Sequence, residues 1–508
     1  MQNIIISDCL VTWEDIAAVA DGASLELSDH VWQRISESRQ AVLDMSNSDT
    51  PHYGVNTGLG ALCEVALNEQ QLSQLSYHTL MSHAVSVGEP LDKRSVRAIM
   101  ACAVVNYSHG YSGISETIVQ RLIDFIKHDI IPVVPKQGSV GYLSHMAHIG
   151  LSLIGAVDVN YQGEIRATTA LLDELGLAPL KLGAKDGLSL VNGTPTMTGL
   201  ACIAIHDADR LAEWADVIAA MSFEAQGGQI EAFDDHVIRL KKSIGVQATA
   251  NNLRTYLQDS EQISKSKGIR VQDALSMRSI PQVHGACRDQ LRHAAEQVNN
   301  EINSATDNPL VIKTETGYQI VSQANPHGES VAMACDTLAI AVSEWTGISE
   351  RRSYRLITPQ TSGLPAFLIA DSGVKSGFMI AQYTAAALAS ENKLLAVPAV
   401  IDNFITSGLQ EDHISFGDNA AIKLNTAIRN AFYVLAIEYL SAAQAFEFLD
   451  NKFGNTTEVA YQWLRKHVDA YQENHPLAKD IEITCILIRQ HPLFEQTNSD
   501  AVAYSSQH

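Results

Sequence analysis

Apolar side chains recur at intervals of three and four along much of this chain, as in Leu338-Ala339-Ile340-Ala341-Val342-Ser343-Glu344-Trp345 and across 427–440. That spacing lines up one apolar stripe on a 3.6-residue helix, so both stretches are predicted to be helical and mostly buried. Alanine-rich runs, Ala385-Ala386-Ala387-Leu388-Ala389 and Ala442-Ala443-Gln444-Ala445, let helices approach closely at little cost in side-chain entropy. Strand signals are short and few. One is 163–168, after the turn-prone Tyr161-Gln162; the others are Leu310-Val311-Ile312 and Tyr318-Gln319-Ile320-Val321, about a turn at Glu315-Thr316-Gly317. The pattern predicts a mainly α fold, an elongated bundle of long helices with minor β-hairpins.

Composition narrows the class. A chain of 508 residues, 46% hydrophobic, can bury a large core. Its 14 prolines and 31 glycines are scattered, with no low-complexity tract, like-charge block or repeat, so one unit over 1–508 is expected. Within it, 1–200 would hold N-terminal site loops, 201–450 a central bundle and 451–508 C-terminal helices. The formal charge of -22 disfavours nucleic acid and anionic membranes as partners and suits a zwitterionic or cationic small molecule. It would equally serve to keep a large oligomer soluble. Seven dispersed cysteines, Cys9, Cys63, Cys102, Cys202, Cys287, Cys335 and Cys485, without a Cys-x-x-Cys spacing, point to free thiols in a reducing compartment. No basic leader precedes an apolar stretch and no apolar run reaches membrane-spanning length, so the expected location is the cytoplasm.

The most informative stretch is Gly138-Ser139-Val140-Gly141 running directly into Tyr142-Leu143-Ser144-His145-Met146-Ala147-His148. Around it stand Tyr53-Gly54-Val55-Asn56-Thr57-Gly58, Ser82-His83-Ala84 and Gly187-Leu188-Ser189-Leu190-Val191-Asn192-Gly193-Thr194. Farther on come Val271-Gln272-Asp273 with Arg278 and Pro281-Gln282-Val283, then Ala387-Leu388-Ala389-Ser390-Glu391-Asn392-Lys393 through Gln410-Glu411-Asp412-His413. This ordered set resembles the aromatic amino acid ammonia-lyases, the superfamily of histidine ammonia-lyase. In that family Gly-Ser-Val-Gly leads into Ala-Ser-Gly-Asp-Leu, and the Ala-Ser-Gly cyclises into the electrophile MIO (4-methylidene-imidazol-5-one). Here Gly141 meets Tyr142 with those three residues missing.

Removing ammonia from an α-amino acid requires abstraction of a weakly acidic β-proton and expulsion of a poor leaving group, and the family's electrophile deals with the second. A quaternary ammonium has no lone pair to give an electrophile and already leaves as a neutral tertiary amine. The resemblance and its gap therefore imply elimination without MIO. Within the superfamily the ergothionases fit; they eliminate trimethylamine from ergothioneine, the betaine of 2-thiohistidine, to give thiourocanate. The family's Tyr in Gln-Asp-Pro-Tyr-Ser-Leu-Arg is Leu275 here, and its Asp after the tripeptide is Tyr142. Both changes suit a trimethylammonium head, for which an aromatic face is worth about 0.5–2 kcal/mol.

What the resemblance implies for single residues follows from the matched positions. Tyr53 is the base for the β-proton. Arg278 pairs with the substrate carboxylate, with Asn192 as a second donor. His83 and Glu411 face the ring, where Glu411 influences charge as the carbanion develops. Asn325 and Gln410 flank the substrate, and Tyr142 and Leu275 wall the methylated head. Lys375, where the family commonly has Asn, would pair with Glu411 or meet the thione sulfur. A homotetramer with shared active sites is also implied.

Plainer readings stand beside these. Tyr53 in a glycine-rich turn would ordinarily be a turn residue. His145 and His148, three apart on a helix, could share a metal, but no third ligand suggests itself and no metal is expected. Arg351 and Arg352 after Glu350 would be a surface or intersubunit charge cluster of little net worth. Two other functions remain open. One is an MIO-dependent histidine or aromatic amino acid ammonia-lyase, whose cyclised Ala-Ser-Gly would lie between Gly141 and Tyr142 but be missing from the written chain. The other is a non-catalytic ligand-binding relative.

Overall fold

The computed structural model describes residues 2–46, 48, 54–56, 68–178 and 180–493. They form two compact units. The first comprises Met1–His206, Ala294–Asp336 and Pro398–Asn425, the second Asp207–His293, Thr337–Val397 and Thr426–His508. Four of the five points of division fall inside long helices, Pro195–Ala225, Ile280–Ile302, Glu329–Ile357 and Gly417–Phe446. The predicted mainly helical class holds.

In the first unit the helix Lys93–Ser108 is buried along almost its whole length and packs against Trp13–Ala20 and Glu116–His128. Its N-cap, Asp92, accepts a hydrogen bond from Ser95 N at 2.7 Å. The predicted hairpin forms, Leu310–Thr314 pairing antiparallel with Gly317–Val321, and the strand signal at 163–168 is met by Glu164–Arg166, whose partner strand Val159–Tyr161 takes in Tyr161, expected in the turn. Three pairings were not foreseen, the parallel Asn3–Ile6 with Ser24–Leu27, the antiparallel Val87–Pro90 with Pro135–Gln137 and the antiparallel Ile130–Pro132 with Val159–Tyr161. All use strands of three or four residues, too short for a period-2 signal to stand out.

Three helices bring distant sequence blocks together: Glu69–His83, Ser144–Leu153 and Asp186–Val191 pack on one another. Gly187 permits this, because a Cβ there would lie 2.3 Å from the carbonyl oxygen of Ser76. Beneath them Lys185 is fully buried, its Nζ 2.7 Å from Asp307 and 2.8 Å from Ser189 Oγ. A buried ammonium needs such partners, and meeting them ties this short helix to the 307–309 turn.

The second unit is organised around a buried polar network. Arg352 and Glu438, both fully buried, are joined at 2.6 and 2.9 Å, and Ser222 and Ser349 each donate to the same carboxylate at 2.6 Å. His284 bridges to it. Its Nδ1 lies 2.8 Å from Asp216, and its Nε2 is 3.3 Å from the Arg352 guanidinium, from which it can only accept. Burial, helped by the charge on Arg352, holds the His284 pKa below its ordinary value despite the Asp216 hydrogen bond. Burial would raise the Asp216 carboxyl, but Arg288 and the His284 hydrogen bond pull it down to about 2.

Two expectations need correction. Arg352 is not part of a surface cluster: successive helical residues point 100° apart, so Arg351 is exposed beside Glu350 while Arg352 turns fully inward. In addition, the stretches Asp186–Ala225 and Glu329–Ile357 are long and apolar enough to cross a membrane by composition, although no uninterrupted apolar run suggested it. Protein buries 94% and 67% of their apolar windows, as core helices require.

Replacing one member of a buried ion pair strands the other. Glu438→Gln should therefore lower stability by about 3–5 kcal/mol, measured as a shift of the chemical denaturation midpoint. A shift near zero would show that the network is dispensable.

Candidate active site

The backbone from Val140 to Ser144 is continuous and held at every residue. Val140 O accepts from Phe416 N at 2.9 Å, Gly141 N donates to Ser139 Oγ at 3.3 Å, and Leu143 N donates to Val191 O at 3.0 Å. Ser139 Oγ donates to Tyr142 O at 3.1 Å. Gly141 sits at φ 137°, with a would-be Cβ 2.5 Å from Ser415 Oγ, and Leu143 at φ 76° turns the chain into the helix Ser144–Leu153. Only glycine takes the first of these conformations readily.

This path presents the half-buried Tyr142 with its hydroxyl near the Glu411 carboxylate. Burial, together with the charge and hydrogen bond of that carboxylate, pushes the phenol pKa well above its ordinary value. Tyr142 therefore stays protonated and donates. Glu411 is held from its other side by Thr406, whose Oγ1 lies 3.3 Å from Oε2 and whose backbone N–H donates to Glu411 O at 2.8 Å.

His83 ends the helix Glu69–His83, and its Nδ1 is 2.7 Å from Thr79 O. A carbonyl only accepts, so Nδ1 carries a proton and Nε2 is the ring nitrogen turned away from that bond. Asn192 is buried and donates from Nδ2 to Asn308 O at 2.6 Å, which leaves its second N–H and its oxygen uncommitted by that bond. Asn325 is exposed and donates to Ala305 O at 2.9 Å; Gln410 is exposed beside Glu411. Tyr53 lies outside the described residues. Its neighbour Gly54 packs on Leu188, 2.8 Å from a would-be Cβ, so that block meets the Asn192 block.

The remaining candidates belong to the second unit. Arg278 ends the short helix Leu275–Arg278 and lines a cavity of about 480 Å³ with Gln229, Lys267, Arg270 and Gln272. Its Nε is buried with no hydrogen-bond partner among the described residues. Leu275 is 64% exposed. Lys375 places its ammonium 2.5 Å from Glu473, 3.2 Å from Gln472 O and 3.8 Å from Asp371, and the Glu473 hydrogen bond raises its pKa.

His145, weighed above only as a metal ligand, pairs with an aspartate that the sequence did not single out. His145 is buried between Asp418 Oδ2, 3.2 Å from Nδ1, and Lys136 O, 3.2 Å from Nε2. Burial alone would lower its pKa, but the hydrogen bond and charge of Asp418 outweigh burial and raise it. His148 does not join it: burial and the charge on His145 lower the pKa of His148, whose Nε2 is buried without a partner among the described residues. The pair left no sequence signal, because a lone histidine on an apolar helix and an aspartate at a helix start are each commonplace.

His327, Glu329 and His413 come near enough together to be considered for a metal ion. His327 turns Nδ1 toward Glu329, at 3.8 Å, and Nε2 toward His413 Nδ1, at 3.1 Å.

Residues 11–466 match the aromatic amino acid lyase family model. The chain is 43% identical to the histidine ammonia-lyase of Deinococcus radiodurans, over 92% of this chain and 90% of that protein. Among solved structures it is similar to histidine ammonia-lyase from Trypanosoma cruzi, with TM-score 0.91, 34% identity and 97% and 94% of the two chains covered. It is also similar to the ergothioneine-degrading enzyme ergothionase from Treponema denticola, with TM-score 0.89, 28% identity and 97% and 100% covered. The chain belongs to the aromatic amino acid lyase family and is a carbon–nitrogen lyase.

The tight fit around Gly141 yields a test. Gly141→Ala forces a side chain into a positive-φ position against Ser415, and should cost about 1–3 kcal/mol of stability by denaturation midpoint. An unchanged midpoint would show that the junction is not held as tightly as its contacts require.

Proposed function

We propose that this lyase works without MIO and eliminates trimethylamine from ergothioneine to give thiourocanate. The observation that carries this reading is the direct junction of Gly141 to Tyr142 in a chain that contains no Ala-Ser-Gly anywhere. The sequence supplies no Ala-Ser-Gly at this position to fit the family's electrophile, so no step is routed through it. The leaving group must then be one that departs unaided. Similarity to the ergothionase structure supports the same conclusion, and relatives named histidine ammonia-lyase support an imidazole-type ring.

The proposed reaction balances simply. Tyr53, as phenolate, removes the β-proton; the C–H electron pair becomes the Cα=Cβ bond; the Cα–N pair departs with trimethylamine, which leaves neutral. Arg278 holds the carboxylate, with the free N–H of Asn192 as a second donor. His83 and Glu411 face the ring, with the Glu411 carboxylate held by Thr406 and lying near the Tyr142 hydroxyl. The Tyr142 ring and Leu275 receive the methyl groups. Asn325 and Gln410 border the substrate, and Lys375 meets the thione or Glu411. We also propose a cytoplasmic homotetramer with shared sites; the exposed Ile401, Phe404, Ile405 and Leu409 in the segment before Glu411 fit burial against another copy.

Histidine ammonia-lyase activity is the second reading, favoured by the names of the relatives at 34–43% identity. It demands an electrophile that these 508 residues do not encode. Incubation with ergothioneine should release trimethylamine together with the ultraviolet chromophore of thiourocanate, while histidine yields no ammonia. Turnover of histidine without ergothioneine turnover would overturn the proposal. The Lys375–Glu473 pair has an exposed partner and contributes little to stability, so Lys375→Met probes function cleanly. Loss of turnover at an unchanged melting temperature is expected; unchanged turnover would remove Lys375 from the site.

A further inference from the structure

His145 is placed where electrostatics alone would not put it. It lies in the first turn of the helix Ser144–Leu153, whose N-terminal end carries partial positive charge. Yet both of its ring nitrogens face oxygens. Lys136 O can only accept, so Nε2 bears a proton; Asp418 Oδ2 faces Nδ1, so a second proton is shared between ring and carboxylate. Either way the two side chains form one unit of zero net charge, each about 1% exposed. Asp418 sits in the first turn of the helix starting at Gly417, where a carboxylate is favoured. Its Oδ1 has no partner among the described residues, so His145 is the counter-ion on which its burial depends.

What the ring connects gives the pair its meaning. Lys136 belongs to the strand Pro135–Gln137 that leads into Gly138-Ser139-Val140-Gly141; His145 follows three residues after Tyr142; Asp418 follows the segment carrying Glu411, Ser415 and Phe416. One imidazole thus fastens both sides of the Gly141–Tyr142 junction to the segment that bears the catalytic carboxylate. Among the described residues, further ties there are the Phe416–Val140 backbone bond and the contact of Gly141 with Ser415. Neither fixes the direction of the Tyr142 side chain.

We propose that the His145–Asp418 ion pair is a positioning device that aims the Tyr142 phenol at Glu411. It touches no substrate atom. The inference deepens the proposed elimination, and rests on that reading only for its consequence in turnover.

The test places 3-fluorotyrosine at position 142 of the full-length protein and follows its fluorine resonance, which reports the Tyr142–Glu411 contact without substrate. Glu411→Gln sets the reference for a lost carboxylate partner. Asp418→Asn and His145→Asn should each move the resonance more than halfway to that reference. The double variant, which restores a neutral hydrogen bond between the two positions, should move it back. In parallel, kcat for ergothioneine should fall at least tenfold in the single variants and recover in the double. Thermal melts establish that each variant is folded. If Asp418→Asn does not accumulate, His145→Gln, which retains a donor toward Lys136 O, is read in its place. A resonance unmoved in folded single variants, or moved equally in the double, overturns the proposal. Should ergothioneine not be turned over by the unmodified protein, the functional reading fails while the resonance shifts still decide this one.

Discussion

Phe416 donates its backbone N–H to Val140 O, and just beyond that bond Gly141 lies against Ser415 with no space for a side chain. This crossing fixes how far the next residue can stand from the 406–418 segment, but leaves the direction of its side chain to other ties. A tyrosine there supplies an aromatic face and one hydroxyl, which burial and Glu411 keep protonated. The same crossing lets Asp418, two residues beyond Phe416, reach back to His145.

Catalytic demand and local structure then point the same way. A lyase of this family that lacks its electrophile must take a substrate whose nitrogen leaves as a stable neutral amine. A permanently charged, methylated head in turn asks for apolar and aromatic walls rather than nucleophile-receptive ones. In the proposed elimination Tyr142 supplies the aromatic wall. The acidic balance of the chain, at -22, agrees with a substrate that presents a fixed cation.

Much of this was legible in the residues. The three-and-four spacing of 427–440 and 338–345 revealed core helices, and Glu315-Thr316-Gly317 marked the hairpin that forms between Leu310–Thr314 and Gly317–Val321. The ordered motif blocks brought the His83, Tyr142 and Asn192 segments together through the packing of their three helices. What escaped was long-range and polar. Nothing local distinguishes Arg352 from Arg351, because the difference is a 100° turn and a carboxylate 86 residues away. His145 and Asp418 lie 273 residues apart, and each gains its role only from the other. The short strands Asn3–Ile6 and Val87–Pro90 exist because a distant partner pairs with them, which no window of their own sequence contains.

The account depends on the segment from Gly138 to His145 being plain polypeptide. Proteolysis of the purified protein, followed by mass measurement of the peptide spanning that segment, addresses this directly. The expected mass is that of the encoded residues with Gly141 bonded to Tyr142 and no water lost. A peptide heavier by an alanine, a serine and a glycine less two waters would reveal a fused heterocycle and contradict the account.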